Sequence, residues 1–429
     1  MIYTLRFLIG LWSLLLTPLF VSAQVFEINT VRDVTVQGYD SASPSSNLES
    51  GFAVEVGDVN ADGQGDLVVG THHGSPNGVE AAGEAFVLFG PLPNATYDLA
   101  NSGAYQIRFT NDLPGERMGS ALALGDVNGD GIVDVVLAAP PATLPGRMAS
   151  GKVYVFFGPH TAGTYTRAAN ADIQINGTIT DDRLGLDSAV GDIDLDGVPD
   201  LVIASRRADP NGKAEAGKVY IVYGPIGAGT YEIAALADRI YNGIDAGDGA
   251  GSGLSIGDVT GDGLPDLVIA AAAADPPGRT DAGEVYLVPG PLAHPPVPLT
   301  LELSLSATAT FYGIASSDFT QRVETGDLNQ DGAADLIMGA TFADVMSPTR
   351  VNAGRAYVLY GPYPFPGVYE IIVELDRGYK GIAAGDNAGS SVAVGQLRGS
   401  AAPDLVIGAS QADPLGRIQA GETYVIEGP

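Results

Sequence analysis

Hydrophobic and polar positions along this chain form short segments that recur in a fixed order. A run with alternating apolar positions, such as 52–56 or 120–124, leads into an acidic stretch and then into a near-continuous apolar run such as DLVVG from Asp66. Alternation with a period of two predicts a half-buried strand, and an unbroken run rich in valine and isoleucine is typical of a strand buried on both faces. The units show no helical period, so the pattern predicts an all-β protein.

Each unit continues with a loop of glycine, proline and polar residues and a third strand that ends in Gly-Pro. The six copies of this strand read EAFVLFGP, KVYVFFGP, KVYIVYGP, EVYLVPGP, RAYVLYGP and ETYVIEGP. The proline should end the strand ladder, because it has no backbone N–H to donate. The third place is always aromatic, which we interpret as a packing position between neighbouring sheets; these residues are Phe86, Tyr154, Tyr220, Tyr286, Tyr357 and Tyr424.

A more polar fourth strand precedes each new unit, for example IRFT from Ile107 or IQING from Ile173. The acidic stretches begin at Gly57, Gly125, Gly191, Gly257 and Gly326, and a degenerate sixth copy begins at Gly395, so the intervals are 68, 66, 66, 69 and 69 residues. Repeated units of four short antiparallel strands with glycine-rich turns predict the blades of a β-propeller. Residues 24–429 then form one domain with repeat cores at about 51–91, 119–159, 185–225, 251–291, 320–362 and 389–429.

The two ends of this domain complement each other. The segment 34–38 has the character of a fourth strand without a third strand before it, and the sequence stops at Pro429 just after a third strand. Pairing 34–38 with Tyr424, Val425 and Ile426 would close a ring of six blades and leave no open edge. A seven-bladed ring that lacks one repeat is the alternative.

The N-terminal segment and the composition indicate where the protein is located and what net charge it carries. The first 23 residues have the pattern of a secretory signal peptide, with Arg6, an apolar run and a Val-Ser-Ala cleavage site, so we expect a secreted or cell-surface protein, extracellular or periplasmic, with no membrane span after cleavage. There is no cysteine to form a disulfide, and the net charge is −30, with 51 acidic and 21 basic residues. This charge argues against nucleic-acid binding and fits cation binding.

Five of the acidic stretches have the ligand pattern of calcium loops, with oxygen-bearing side chains at positions 1, 3, 5 and 9, a backbone carbonyl at position 7 and glycine at position 6 for a sharp turn. We therefore predict five structural Ca²⁺ sites. Their residues are Asp58, Asn60, Asp62, Gln64 and Asp66; Asp126, Asn128, Asp130, Ile132 and Asp134; Asp192, Asp194, Asp196, Val198 and Asp200; Asp258, Thr260, Asp262, Leu264 and Asp266; and Asp327, Asn329, Asp331, Ala333 and Asp335.

These loops differ from EF-hands, because position 12, which would need a bidentate glutamate, falls inside an apolar strand, for example at Val69. The loop from Asp192 has four carboxylates and should bind calcium most tightly, whereas the loop with Thr260 should bind it most weakly. The sixth copy, GQLRGSAAPD, should not bind calcium, and we expect Arg398 to pair with Asp404 in place of the ion.

The order of strand, GDVNGDG loop, DLVIA strand and GKVYVFFG strand resembles the FG-GAP repeat of integrin α-subunit propellers and of bacterial extracellular proteins, over about 25–429. The resemblance implies a β-propeller with structural calcium on its lower face and a partner on the opposite, upper face. Integrin propellers have seven repeats, cysteines and a membrane-anchored leg, which this sequence does not show, so an integrin signalling role does not follow from the resemblance. An extracellular protein or glycan is the implied ligand.

The sequence offers little for catalysis: four histidines, no cysteine, no GxSxG and no HExxH. A hydrolase of the carbohydrate-active or phospholipase-like kind, using carboxylates on the propeller, is the alternative to a binding or adhesion module, and a purely structural surface protein is a third possibility. Carboxylates of raised pKa in a central cleft would favour the enzyme, and an open, uncharged or aromatic upper face would favour binding.

The loops between the second and third strands, 72–83, 140–151, 205–217, 271–283, 341–354 and 410–421, are the variable segments on which recognition is expected. In the first of these, His72 and His73 either ligate a metal or are ordinary loop residues. In the third, Arg206 and Arg207 either engage an acidic partner or balance local acidic residues.

Overall fold

The computed structural model describes residues 23–39, 49–346, 348–363, 366–400 and 402–428. The expected signal peptide lies outside the described residues, apart from Ala23. The described residues form six five-stranded sheets and one two-stranded sheet, Val345–Met346 with Thr349–Arg350. The six sheets are the blades of a propeller, which confirms the predicted all-β fold and the six-fold count.

Each blade begins with an inner strand, and every inner strand contacts the inner strands of both neighbouring blades, so that the six close a ring around a central channel. In blades 4 to 6 these strands contain a register shift. The inner strands of blades 1 to 6 are Ala53–Gly57, Ala121–Gly125, Ser188–Gly191, Ala250–Gly257, Thr320–Gly326 and Ala388–Gly395.

The second and third strands are the buried centre of each blade and pair antiparallel, as their unbroken apolar runs predict. The second strands are Asp66–Thr71, Asp134–Ala139, Asp200–Ser205, Asp266–Ala271, Asp335–Ala340 and Asp404–Ala409. The third strands are Glu84–Leu88, Lys152–Phe156, Lys218–Val222, Glu284–Val288, Arg355–Leu359 and Glu422–Ile426.

The fourth strands pair antiparallel with the third strands, and the N-terminal segment closes the ring. The fourth strands of blades 1 to 6 are Ile107–Thr110, Ile173–Asn176, Arg239–Asn242, Ala309–Tyr312, Arg377–Lys380 and Arg32–Gln37. In blade 6, Val34 pairs with Val425 and Thr35 with Tyr424, so the predicted closure is confirmed.

A fifth, outer strand, which the four-strand pattern did not predict, runs parallel to the fourth strand of each blade. It comes from the next repeat, so each blade contains one strand of the repeat that follows it. The outer strands of blades 1 to 6 are Gly163–Thr166, Gly229–Glu232, Leu299–Glu302, Gly367–Glu370, Gln24–Glu27 and Thr96–Asp98. Five of them lead into a single helical turn, at Arg167–Asn170, Ile233–Leu236, Leu303–Ser306, Ile371–Glu374 and Ile28–Val31.

The hydrophobic core lies between neighbouring blades rather than within one of them. One cluster, for example, joins Val153 and Ile175 of blade 2 to Leu201 and Tyr220 of blade 3. The recurrent aromatics of the third strands are all buried, which confirms their interpretation as packing residues. Three short 3₁₀ turns, Pro76–Gly78, Pro210–Gly212 and Pro414–Gly416, lie on the connections between second and third strands.

Candidate metal centres and the opposite face

The acidic loops join the inner strand to the second strand at one end of every blade. In each blade the last residue of the inner strand is a glycine that pairs with the first aspartate of the second strand, as Gly57 pairs with Asp66. A side chain on this glycine would crowd the neighbouring inner strand: a Cβ would lie 2.3 Å from Val190 Cγ1 at Gly125 and 3.2 Å from Ile256 Cγ2 at Gly191. The glycine before each loop therefore favours the close approach of the blades. The six loops form one face of the ring, here called the acidic rim.

The carboxylate of the aspartate at position 1 accepts hydrogen bonds from backbone N–H groups of the same loop. Asp58 Oδ1 accepts the Asp62 N–H at 2.9 Å, and Asp58 Oδ2 accepts the Gly63 N–H at 2.8 Å. Gly63 has a φ of +84°, as predicted for the sharp turn at position 6. The same two bonds recur at positions 1, 5 and 6 of the other acidic loops, from Asp126, Asp192, Asp258 and Asp327.

Positions 3, 5 and 7 continue this arrangement. In the first loop, Asn60 Oδ1 accepts the Asp62 N–H at 2.8 Å, and Asp62 Oδ1 accepts the N–H of Gln64 at 2.8 Å. The position-7 residues of the other loops donate in the same way to the position-5 aspartate; they are Ile132, Val198, Leu264 and Ala333. The predicted ligands at positions 1 to 7 are thus grouped on one short turn, and the side chains at positions 1, 3 and 5 are exposed or half-buried.

The aspartate at position 9 is different, because it is buried and both of its oxygens are used by the backbone. Asp66 Oδ2 accepts the Val59 N–H at 3.0 Å, and Asp66 Oδ1 accepts the Gly90 N–H at 2.9 Å, from the glycine of the Gly-Pro pair that ends the third strand. The matching glycine donors in blades 2 to 5 are Gly158, Gly224, Gly290 and Gly361. Position 9 therefore ties the loop to two strands, a role that the ligand pattern alone did not reveal.

Burial without a neutralising charge shifts these carboxylates toward the protonated form. Desolvation raises the pKa of Asp66, Asp134 and Asp335 to about 6, that of Asp200 to about 7, and that of Asp266 in the same direction. In the third loop, carboxylate oxygens of Asp192, Asp194 and Asp200 lie within 4.8 Å of one another. Hard oxygen donors grouped on an uncompensated acidic turn fit a calcium ion, which would also supply the missing positive charge.

The sixth loop contains its own cation. Arg398 Nε lies 3.0 Å from Asp404 Oδ1, and its two other nitrogens lie 3.1 Å from Asp33 and 3.2 Å from Glu427. Asp404 is fully buried and occupies position 9, where it also accepts the Leu397 N–H at 3.0 Å. The expected pair between Arg398 and Asp404 is present.

The opposite end of the ring, here called the upper face, carries the connections between second and third strands. Polar side chains fix these loops from within: Asp209 accepts the Glu215 N–H at 2.7 Å, and Asp413 accepts the Gln419 N–H at 2.6 Å. In blades 2, 4, 5 and 6 an arginine of the loop binds an acidic residue of the outer strand; these arginines are Arg147, Arg279, Arg350 and Arg417. The upper face is therefore a set of firmly held loops.

The arginine and histidine pairs named from the sequence both lie on this face. Arg207 contacts Glu215 at 2.6 Å and Asp181 at 3.3 Å, which agrees with a role in balancing local acidic residues. His72 and His73 lie beside Glu49, an acidic neighbour that sequence spacing did not reveal because it precedes the inner strand.

Charged residues also line the central channel. Glu55, Asp187, Glu324 and Arg322 face it, and Arg322 lies 3.4 Å from Asp187. Desolvation raises the pKa of Glu324 to about 7, that of Asp187 to about 6, and that of Glu55 upward. The cavities along these residues have volumes of about 30 and 70 Å³, which is space for a few waters.

Comparison with known proteins agrees with the repeat pattern. The FG-GAP repeat model matches residues 118–156, 184–222, 250–288 and 319–359, which run from the inner to the third strand of blades 2 to 5. The chain therefore carries FG-GAP repeats, and the structure shows the same strand order in blades 1 and 6.

Among its relatives is phosphatidylinositol-glycan-specific phospholipase D of Mus musculus, 34% identical over 188 residues, which are 43% of this chain and 21% of that protein. Integrin alpha-PS2 of Drosophila melanogaster is 28% identical over 246 residues, 55% of this chain and 16% of the integrin. Integrin alpha-5 of Xenopus laevis is 27% identical over 247 residues, 56% and 21% of the two chains. The match thus spans about a fifth of these relatives' length. No helix among the described residues is long and apolar enough to cross a membrane.

Proposed function

We propose that this FG-GAP repeat protein is a secreted, calcium-stabilised propeller that acts as an extracellular binding or adhesion module, with a protein or glycan ligand on the upper face. Calcium would occupy the five acidic loops, held by the side chains at positions 1, 3, 5 and 9 and the carbonyl at position 7. Its part is structural: it neutralises the acidic rim and holds the turn that links two strands of each blade. The signal-like pattern of the first 23 residues and the integrin relatives support an extracellular location.

The distribution of exposed apolar side chains is the observation that favours the upper face for binding. Six large apolar residues are exposed on the connections between second and third strands, and a seventh, Ile179, on the connection from the fourth strand of blade 2 to the inner strand of blade 3. The acidic loops expose one, Leu195, and seven more lie on or beside the outer strands. The seven on the upper face are Met148, Ile179, Phe342, Met346, Val351, Leu415 and Ile418. Exposed apolar groups on firmly held loops are typical of interaction sites, because partner binding removes them from water at little cost in loop ordering.

A substitution pair tests this assignment. We expect Leu415→Ser with Ile418→Ser to weaken binding at least tenfold to the hits of a glycan array and of a panel of extracellular matrix proteins. The matched control is Leu305→Ser, which removes an apolar side chain of 86% exposure from the outer edge of the ring. Equal loss in both variants, or loss only in the control, would contradict an upper-face site.

A hydrolase remains the second candidate, because the channel does hold carboxylates of raised pKa, the feature expected of an enzyme. Glu324 and Asp187 have the pKa shifts of candidate general acids. However, cavities of about 30 and 70 Å³ are small beside the several hundred Å³ of ordinary ligand pockets. A hydrolysis assay on the array hits separates the two: turnover that Glu324→Gln abolishes would establish the hydrolase instead.

A further inference from the structure

We infer that Glu49, His72 and His73 form a binding site for a divalent transition metal of the Zn²⁺ type, on the upper face beside the mouth of the channel and apart from the acidic rim. His72 and His73 follow directly after the second strand of blade 1, and Glu49 directly precedes its inner strand. One ligand atom from each of the three residues lies within 4.8 Å of the other two. This inference goes beyond the proposed function and does not depend on it.

The separations between the three groups are those of ligands around one ion. His72 Nε2 lies 3.5 Å from Glu49 Oε2, and His73 Nδ1 lies 3.7 Å from Glu49 Oε1. Both distances exceed the 2.7–3.2 Å of a good hydrogen bond. Ligand atoms about 2.0–2.1 Å from a tetrahedral zinc ion are ~3.3–3.4 Å apart. A small closure of the three side chains would therefore surround an ion without any change of fold.

The backbone turn makes this arrangement possible. In a continuing strand two successive side chains would point to opposite faces, but the strand ends at Thr71 and the chain turns at His72. The two imidazole rings consequently lie side by side, with centroids 4.1 Å apart. Phe52 packs on the other side of His72, also at 4.1 Å, and fixes its ring.

His72 is buried, 5% exposed, and presents its Nε2 to Glu49. Its other ring nitrogen, Nδ1, has no hydrogen-bond partner among the described residues, so no protein group competes for the ring. Desolvation, with lesser contributions from His73, Arg117 and Arg322, lowers the pKa of His72 and keeps the ring neutral, which is the form that binds metal. Two imidazoles and one carboxylate suit zinc, whereas calcium prefers oxygen ligands alone.

Arg117 and Arg322 limit the affinity of the site for the metal ion, because their positive charge repels a cation. Arg322 stacks on Phe52 and is paired with Asp187, so its charge is partly compensated. Arg117 is exposed, and its charge acts on both Glu49 and His72. Arg117→Gln should therefore tighten metal binding a few-fold.

Zinc titration of the mature protein, followed by ¹⁵N-histidine NMR with calcium saturating, tests the site. The chain has four histidines, so every imidazole can be followed. We expect one equivalent of Zn²⁺ to shift the signals of His72 and His73 and to leave those of His160 and His294 unchanged. His73→Gln and Glu49→Gln should each weaken zinc binding at least tenfold. Both positions are partly exposed, so the fold should tolerate these substitutions better than one at buried His72.

His294→Gln is the matched control, because His294 is an exposed histidine that also lies beside a carboxylate, 3.4 Å from Asp238. It should leave zinc affinity unchanged. The assignment would be overturned if zinc shifted His294 as much as His72, if added calcium displaced the zinc, or if folded His73→Gln and Glu49→Gln bound zinc like the wild type.

Discussion

The sixth loop and the five acidic loops have the same position in the fold and opposite charge arrangements. In both, a buried aspartate at position 9 accepts a backbone N–H of the loop, as Asp404 does from Leu397 and Asp66 from Val59. Beside Asp404 the guanidinium of Arg398 binds three carboxylates at 3.0–3.2 Å. The loop of Asp66, residues 58–66, contains Asp58, Asn60 and Asp62 and no basic residue. The sixth loop supplies its positive charge from its own sequence. For the other five loops we propose that a calcium ion supplies it.

The channel carboxylates show a third way to reduce a buried negative charge. Glu324 is deep in the ring, accepts hydrogen bonds from Ser255 Oγ and Thr325 N, and has a pKa raised to about 7 by desolvation. Its raised pKa favours the protonated, uncharged form. If calcium occupies the acidic loops as proposed, buried carboxylates of this propeller are neutralised by an arginine, by a metal ion or by a proton. These three cases differ in their response to chelator, substitution and pH.

Calcium removal should have the largest effect. Each site contributes about 2.7 kcal/mol when free calcium is 100 times its dissociation constant, so five sites amount to on the order of 10 kcal/mol. We expect chelator to lower the melting temperature by roughly 10 °C or more, as measured by calorimetry. Magnesium at equal ionic strength is the control. An unchanged melting temperature would contradict calcium in these loops.

Removal of the built-in cation should come next. Arg398→Met leaves fully buried Asp404 without its partner, and breaking a buried ion pair costs about 3–5 kcal/mol. The loss should be equal with calcium and with chelator, because no metal is involved. Arg183→Ala, at an exposed arginine that contacts Asp181, should change stability by less than about 1 kcal/mol in urea unfolding.

The reverse exchange sharpens this test. Gln396→Asp, Arg398→Asn, Ser400→Asp and Ala401→Gly together give the sixth loop the ligand pattern of the other five. The stability lost in Arg398→Met should then return only when calcium is present, and titration calorimetry should count one additional ion. A stability that does not depend on calcium would show that the loop pattern alone does not make a site.

Substitutions at positions 9 and 5 should distinguish a structural role from a calcium-ligand role within one acidic loop. Asp200→Asn turns an amide NH₂ toward a backbone N–H, either that of Ile193 or that of Gly224, and loses a charge-assisted bond of about 1.5–3 kcal/mol. This loss should appear already in chelator, and in calcium the loss of a ligand should add to it. Asp196→Asn, at position 5, should destabilise only in calcium. Identical behaviour of the two variants in urea unfolding would remove the distinction.

The raised pKa of Glu324 predicts that stability falls as pH rises. An ordinary ion pair of a carboxylate has the opposite effect, because it makes stability rise with pH. The pKa of Glu324 is about 7 in the folded state and near 4.5 when unfolded, so the folded state binds more protons between these values and stability falls as pH rises through that window. With calcium saturating, Glu324→Gln should match the wild type near pH 4.5 and exceed it at pH 8 by roughly 3 kcal/mol, which corresponds to the shift from 4.5 to about 7. Glu55→Gln, which changes a neighbouring carboxylate of the channel, is the comparison variant. The predicted pH dependence would be contradicted if the wild type were at least as stable as Glu324→Gln at pH 8.

The sequence predicted what repeats locally and missed what depends on contacts between repeats. Strand order, the closure through Val34 and Thr35, and the pair between Arg398 and Asp404 followed from patterns within or next to one unit. The outer strands were missed because each belongs by sequence to one repeat and by pairing to the blade before it. Glu49 was missed for a similar reason: it meets His72 only after the inner and second strands have paired.

The smallest expected effect concerns differences among the five acidic loops themselves. Asp194→Asn reduces the third loop from four carboxylates to the three found in the first, so its calcium affinity should fall by about tenfold, or 1.4 kcal/mol. Thr260→Asp makes the opposite change in the fourth loop, where Thr260 Oγ1 lies 3.4 Å from Asp258 Oδ1, and should raise affinity by a similar factor. Competitive titration against a chromogenic chelator measures both. If the third and fourth loops prove equally strong and neither substitution changes this, ligand charge does not rank these sites, and the backbone ties at position 9, which all five share, become the stronger determinant.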